Sequence, residues 1–201
     1  MLPHPGFYKE EDIVFSVTSM PCRQITSVTE YRFEDIRPDD RVLDIGANVG
    51  GFCIRAARKS GHVTAVEPVT TRPLLENIHA NRVSVQVIEG ALGDGKPAAI
   101  SWDDCRVLSP TYPLQELVTM SGGCDFLKCD CEGAEWLINP RELEDIRRIE
   151  MEIHLPPISG PPDPALLAYI SQWYDFEIER KPCHDILGVM GVLHAKRKQT
   201  R

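Results

Sequence analysis

From Arg41 onward, short apolar runs alternate with helical patterns, and no other feature narrows the fold as much. Arg41–Ile45 (RVLDI) is an apolar strand that runs into glycines. Gly51–Ser60 reads as a helix stopped by Gly61, as a C-cap glycine does. His62–Glu67 is a second strand, closed by Pro68. Thr71–Asn81 reads as a helix with Leu74, Leu75 and Ile78 among its apolar positions. Val83–Ile88, Phe126–Cys131 and Ile149–Leu155 are further strands. Leu114–Met120 and Arg141–Arg148 are expected to be helical, and Pro97–Trp102 to be an extra strand. Leu155–Pro164 contains five prolines and must be a loop. Asp163 and Pro164 then suit the N-cap and first turn of a helix ending near Tyr174. Phe176–Arg180 and Gly188–Ala195 are the last strands. Strands alternating with helices argue for an α/β fold, a parallel sheet covered on both faces. The final pair, with little between them, argues for an antiparallel hairpin at one edge.

Residues 1–40 are mixed and polar, with a short helix expected at Thr29–Ile36. They form an N-terminal extension that could cover a pocket or mediate pairing, and residues 41–201 form the main domain. At 201 residues the chain suits one core. There are 30 acidic against 22 basic residues, a net charge of −8 that repels phosphate backbones and counts against nucleic acid. No apolar run is long enough to cross a membrane, and MLPHPGFYKEED lacks the pattern of a signal peptide. The seven cysteines are scattered without a C-x-x-C pair, which fits reduced thiols in a cytoplasmic protein. Their spacing does not make a four-ligand zinc site.

Asp44 lies two residues before Gly46 in V-L-D-I-G-A-N-V-G-G, and Glu67 ends the next strand, roughly 20 residues on. A strand running into glycines and then a helix lets backbone N–H groups approach a ligand closely. A carboxylate at the end of the second strand can accept hydrogen bonds from both hydroxyls of a ribose. The loop reads D-x-G-x-N-x-G, unlike the G-x-G-x-x-G of most nicotinamide folds.

This pattern resembles the first motif of class I S-adenosylmethionine-dependent methyltransferases. Together with A-V-E-P, E-G-A-L-G-D (Glu89–Asp94), K-x-D-x-E-G-A-E and M-E-I-H, it looks like the FkbM family over about Val42 to Leu155. One departure is Leu114–Gln115–Glu116–Leu117, where members commonly carry an L-D-D-L-like element. The resemblance implies a Rossmann-like class I methyltransferase fold: a mostly parallel seven-stranded sheet, an antiparallel edge hairpin and helices on both faces. It implies S-adenosylmethionine as cofactor, with Asp44 at the methionine amino end, Glu67 at the ribose and Ala91 and Leu92 near the adenine. Gly46, Ala47, Asn48, Gly50, Pro68 and Asp130 complete the implied cofactor set.

In the strand FLKCDCEGAEW, alternation puts Lys128, Asp130 and Glu132 on one side and Leu127, Cys129 and Cys131 on the other. The fifth strand repeats the pattern with Glu150, Glu152 and His154. Buried carboxylates must be paired. The expected pairs are Lys128 with Glu150 or Glu152, and Asp130 or Glu132 with His154. Glu135 is expected to start the following helix. Methyl transfer to a hydroxyl needs a base, and His154 with a near-neutral pKa is the first candidate. Asp130 is the second, with Glu132 and Lys128 beside it in the catalytic set. The carboxylates could instead bind Mg²⁺ with Asp103 and Asp104, but no metal set is assigned. The other histidines read as surface or packing residues. The leading reading is O-methylation of a small molecule or sugar hydroxyl. An RNA methyltransferase and a non-catalytic S-adenosylmethionine-binding protein are the alternatives. The oligomeric state stays open.

Overall fold

The structure, a computed structural model, describes residues 7–10, 12–16 and 22–199. MLPHPG, which includes His4, falls outside them. β1 (Arg41–Ile45), β2 (His62–Val66), β3 (Gln86–Ile88), β4 (Phe126–Cys129), β5 (Arg148–His154), β6 (Tyr174–Glu179) and β7 (Val189–Arg197) form one sheet in the order β6-β7-β5-β4-β1-β2-β3. β1 to β5 are parallel, and β7 runs antiparallel to both β5 and β6. The expected mostly parallel sheet with an antiparallel edge hairpin is therefore the observed one.

Helices α1 (Gly51–Ala56), α2 (Thr71–Asn81), α3 (Leu114–Met120) and α4 (Pro164–Trp173) cover the sheet. Period-2 alternation feeds two cores. Val42 packs with Phe52, Ile54 and Leu74 of α1 and α2, while Leu43 and Ile45 pack with Leu114, Leu117 and Leu166 of α3 and α4. Each Leu or Ile taken from water contributes roughly 1.5–3 kcal/mol, so a strand buried on both faces must read as an apolar run. Asp163 caps α4 by accepting from the Ala165 N–H at 2.9 Å, with Pro164 in the first turn. The Tyr174 hydroxyl then closes that layer, 2.6 and 2.7 Å from the carbonyls of Leu143 and Ile146.

Several elements depart from the sequence reading. The helix expected at Arg141–Arg148 is a 3-10 turn, Pro140–Leu143, because Arg148 opens β5 and pairs with Glu150 at 2.6 Å and Asp35 at 3.0 Å. The helix expected at Thr29–Ile36 shrinks to a 3-10 turn at Phe33–Asp35. Its neighbours are held instead by long-range hydrogen bonds: Ile25 N–H to Asn48, Tyr31 hydroxyl to Asp130, Arg32 N–H to Glu150. α1 ends at Ala56 with its C-cap on Ala57, not Gly61. The extra strand is found at Ala98–Trp102 but pairs with Cys105–Ser109 in a separate hairpin. Another hairpin, Phe7–Glu10 with Ile13–Ser16, docks on α2 through Ser16 N–H to Asn77 (2.7 Å) and Val14 N–H to Asn81 (2.9 Å).

Candidate active site

The loop after β1 is shaped by close backbone approach. The Gly46 and Ala47 N–H groups both reach the Val66 carbonyl, at 3.0 and 3.2 Å, tying the exits of β1 and β2 together. Gly46 sits at φ +76°, and a Cβ there would lie 1.7 Å from the Asp130 carbonyl oxygen. Gly51 faces the N-terminal segment, where a Cβ would meet the Thr26 carbonyl at 2.8 Å. Asn48, at φ +49°, gives its N–H to Glu67 Oε2 (2.8 Å) and accepts from the Ile25 N–H at 3.1 Å. The loop thus holds residues 22–31 over the site.

A cavity of about 910 Å³, open mouth included, lies at the carboxyl ends of β1, β2, β3 and β4. This is where an open α/β sheet binds ligands, beside the point at which strand order reverses. Gly46, Ala47 and Asn48 line it, as do Glu67, Pro68, Ala91, Leu92, Lys128, Asp130 and Glu132. Ile25, Val28 and Glu30 line it from the N-terminal segment. Gly50 does not line it; a Cβ there would press on Ile54 and Leu74 instead. Asp44 is fully buried behind the lining. Glu67 accepts three backbone hydrogen bonds, from Asn48, Val69 and Thr70. Burial pushes its pKa up and those donors oppose the shift.

The charged strand resolves differently from expectation. Lys128 stands in register with Glu150 on one side and Asp44 on the other. It pairs with Asp44 at 3.1 Å and Asp130 at 3.8 Å, not with Glu150 or Glu152. Its ammonium also donates to the Gly46 carbonyl at 2.7 Å. Glu150 is already engaged by Arg148 and by His194 Nδ1 at 2.7 Å, which leaves Lys128 to neutralise Asp44. Burial alone would lower the Lys128 pKa, but Asp44 and Asp130 drive it well above the usual lysine value. Burial raises the Asp44 pKa, with Lys128 opposing.

β4 pairs only as far as Cys129, and the chain then turns through Glu132 (φ +55°) and Gly133 (φ +103°). His154, at the end of β5, faces this turn. Its Nε2 lies 3.0 Å from Glu152, 3.6 Å from Glu132 and 3.9 Å from Asp130. The expected contacts with Asp130 and Glu132 are present, but Glu152 and Glu135 are nearer. Burial would lower the His154 pKa, yet the carboxylates of Glu135 and Glu152 beside it carry it up to about 11. The near-neutral value expected for His154 is therefore corrected: the carboxylates around it hold it well above the usual imidazole range. Burial is also the main cause of the raised Glu132 pKa.

Glu135 does not start an α-helix but sits fully buried in a 3-10 turn, Ala134–Leu137. Asp103 accepts from the Arg23 N–H at the hairpin turn, apart from this group. Two histidines read as surface or packing residues are parts of buried polar networks. His194 bridges Glu150, and His184 stands 3.5 Å from Glu152. His194 was legible in principle, since β7 alternation places it beside Glu150. His184 comes from a 3-10 turn with no periodic signal. All seven cysteines are free thiols, and Cys129 and Cys131 bring their sulfurs to 3.4 Å.

No family model matches the chain. A curated relative, the probable ribosomal RNA small subunit methyltransferase A of Methanothermobacter thermautotrophicus, is 39% identical over 62 residues. That stretch is 31% of this chain and 22% of the relative. Among solved structures, M. jannaschii TYW2 in complex with AdoMet has a TM-score of 0.56 at 20% identity, over 96% of this chain and 86% of that one. An rRNA methylase from Streptococcus thermophilus has a TM-score of 0.53 at 10% identity, over 83% and 92%. The precorrin 8w decarboxylase of Methanobacterium thermoautotrophicum has a TM-score of 0.53 at 16% identity, over 99% and 100%. The expected small-molecule or sugar acceptor, with nucleic acid disfavoured, is overturned: the curated relative and the S. thermophilus neighbour are both named for ribosomal RNA. Arg23 stands over the Trp102 ring, 5.2 Å from its centroid, beside the cavity. Among the described residues no helix is long and apolar enough to cross a membrane. The chain has the Rossmann-like fold of class I S-adenosylmethionine-dependent methyltransferases.

Proposed function

We propose that the chain is an S-adenosylmethionine-dependent RNA methyltransferase. The observation that carries the cofactor is Glu67 on one cavity at the glycine loop, with Asp44 buried directly behind its lining. The residues fit the group. Asp44 keeps Oδ2 without a hydrogen bond, an acceptor suited to an ammonium. Glu67 Oε2 takes one backbone N–H and retains a lone pair for a hydroxyl. Ala47, Pro68, Ala91 and Leu92 give the cavity an apolar stretch for a purine. When bound, the cofactor supplies a methyl group on a sulfonium; the acceptor's lone pair forms the new bond to carbon, and the C–S electrons return to sulfur. The chain must align the acceptor and take its proton. Glu132 fits that role, since it lines the cavity, is 40% exposed and has a raised pKa that makes it a stronger base. Asp130 and Lys128 would hold the floor rigid beneath the acceptor, with His154 standing 3.6 Å from Glu132. The acceptor class rests on the ribosomal RNA names of the curated relative and the S. thermophilus structure. Trp102 and Arg23 offer an aromatic face and a cation where a base could stack.

The test is calorimetric titration with S-adenosylmethionine, S-adenosylhomocysteine and NAD, on wild type and Glu67→Ala. Radiolabelled methyl transfer into RNA fractions follows. Binding of both sulfur ligands, lost in Glu67→Ala, with label entering RNA, supports the proposal. Failure to bind either sulfur ligand overturns the cofactor, and binding without label in any RNA overturns the acceptor.

A further inference from the structure

We propose that Asp130, Glu152 and His154 bind a divalent transition-metal cation at the edge of the cavity. One ligand atom from each of the three lies within 4.8 Å of the others. The His154 Nε2 distances to Glu152 and Asp130 are 3.0 and 3.9 Å. Ligands bound at about 2.1 Å around one ion stand roughly 3–3.5 Å apart, so a small movement of Asp130 closes the set.

The second observation is the state of His154. It is fully buried, and Nε2 makes no hydrogen bond although Glu152 Oε2 is 3.0 Å away. Its other nitrogen is fixed. Nδ1 lies 3.1 Å from Glu135 Oε1, which also accepts the His154 backbone N–H at 2.9 Å. Glu135 is itself fully buried, and Oε2 accepts from the Gly133 N–H at 2.8 Å. A carboxylate that holds one ring nitrogen as a donor fixes the ring's orientation, the usual outer support of a metal-bound histidine, and a cation arriving at Nε2 would displace the proton there and take its lone pair. Charge points the same way. Asp130, Glu132, Glu135 and Glu152 crowd one imidazole, and the nearest ammonium, Lys128, is shared with buried Asp44.

Two carboxylates with one imidazole suit Mn²⁺, Fe²⁺ or Zn²⁺ better than Ca²⁺. Asp130 lines the cavity, so such a cation would present an open coordination position to an acceptor oxygen and lower the pKa of a hydroxyl bound there. The site does not depend on the proposed cofactor, and its test omits that cofactor.

The full chain, stripped with chelator, is titrated with MnCl₂ alone by calorimetry and by electron paramagnetic resonance. The expected result is one saturable Mn²⁺ per chain with nitrogen coupling from a single imidazole. Glu152→Gln keeps the shape of the side chain and is expected to weaken binding by about 100-fold, and Glu135→Gln by roughly 10–100-fold. No saturable binding up to about 1 mM Mn²⁺, or binding without nitrogen coupling, overturns the proposal. So does equal affinity in a folded Glu152→Gln variant. If that variant does not fold, the wild-type nitrogen coupling decides alone. Loss of S-adenosylmethionine binding in Glu67→Ala reads out separately, so the two proposals can fail independently.

Discussion

Replacing Lys128 by methionine tests whether the charged strand is held together as described. Lys128 is 3% exposed and Asp44 is fully buried. Methionine fills most of the volume but withdraws the ammonium from Asp44 (3.1 Å), Asp130 (3.8 Å) and the Gly46 carbonyl (2.7 Å). Asp130 has water and Tyr31 to turn to, whereas Asp44 has neither. Removing one partner of a buried pair costs about 3–5 kcal/mol, because the other charge is left uncompensated. For a domain of this length that is a fall of roughly 6–20 °C in Tm. Asp44→Asn in the same background removes the stranded charge and should recover a large part of the loss. The pH dependence has a definite sign. Without Lys128 the folded-state pKa of Asp44 rises further above its unfolded value, so the penalty grows as pH climbs above the unfolded pKa. Lys128→Met should therefore sit closer to wild type at pH 5 than at pH 8. Thermal and chemical denaturation followed by circular dichroism on the two single variants and the double measures the coupling directly. A loss under about 1 kcal/mol for Lys128→Met, or a double variant no more stable than it, would refute the reasoning.

Gly46→Ala should be severe, since the new Cβ meets the Asp130 carbonyl at 1.7 Å in a left-handed backbone, while Gly61→Ala, with nothing within 4 Å, should be neutral in a thermal melt. Tyr174→Phe should cost about 1–3 kcal/mol by stranding the buried carbonyls of Leu143 and Ile146. Burial lifts the Tyr174 pKa to about 12, so wild-type stability should decline as pH rises from the free-phenol value of 10.0 toward it, a slope reduced in the Phe variant. Asn48→Ala should free the Ile25 N–H and raise hydrogen exchange across residues 22–31 without unfolding the sheet.

The strands were legible because burial on both faces forces apolar runs, and α4 because Asp163 and Pro164 carry a local cap signal. The segment before β1 was not, because its contacts are made far away in sequence, to Asn48, Asp130 and Glu150. The charged faces of β4 and β5 followed from alternation. Alternation names a face and not a neighbour, however, and Lys128 is equally in register with Asp44 and Glu150. What decides between them is Arg148 and His194, one read as a helix end and the other as packing. The His154 pKa was missed for a related reason: Glu135 reaches it from a turn that pattern places on a helix.

Tyr31 gives residues 22–31 a second meaning. Its hydroxyl bonds to Asp130 at 3.0 Å, and its ring lies 5.6 Å from the Lys128 ammonium. The roof is thus tied to the loop by Asn48 and to the acidic floor by Tyr31, beside its bonds to Asp103, Trp102, Arg55 and Lys181. Each such bond is worth about 1 kcal/mol net, so the Tyr31 bond is one contribution among several. A ligand that draws Asp130 toward itself competes with Tyr31 for that carboxylate, and one that leaves Asp130 alone does not.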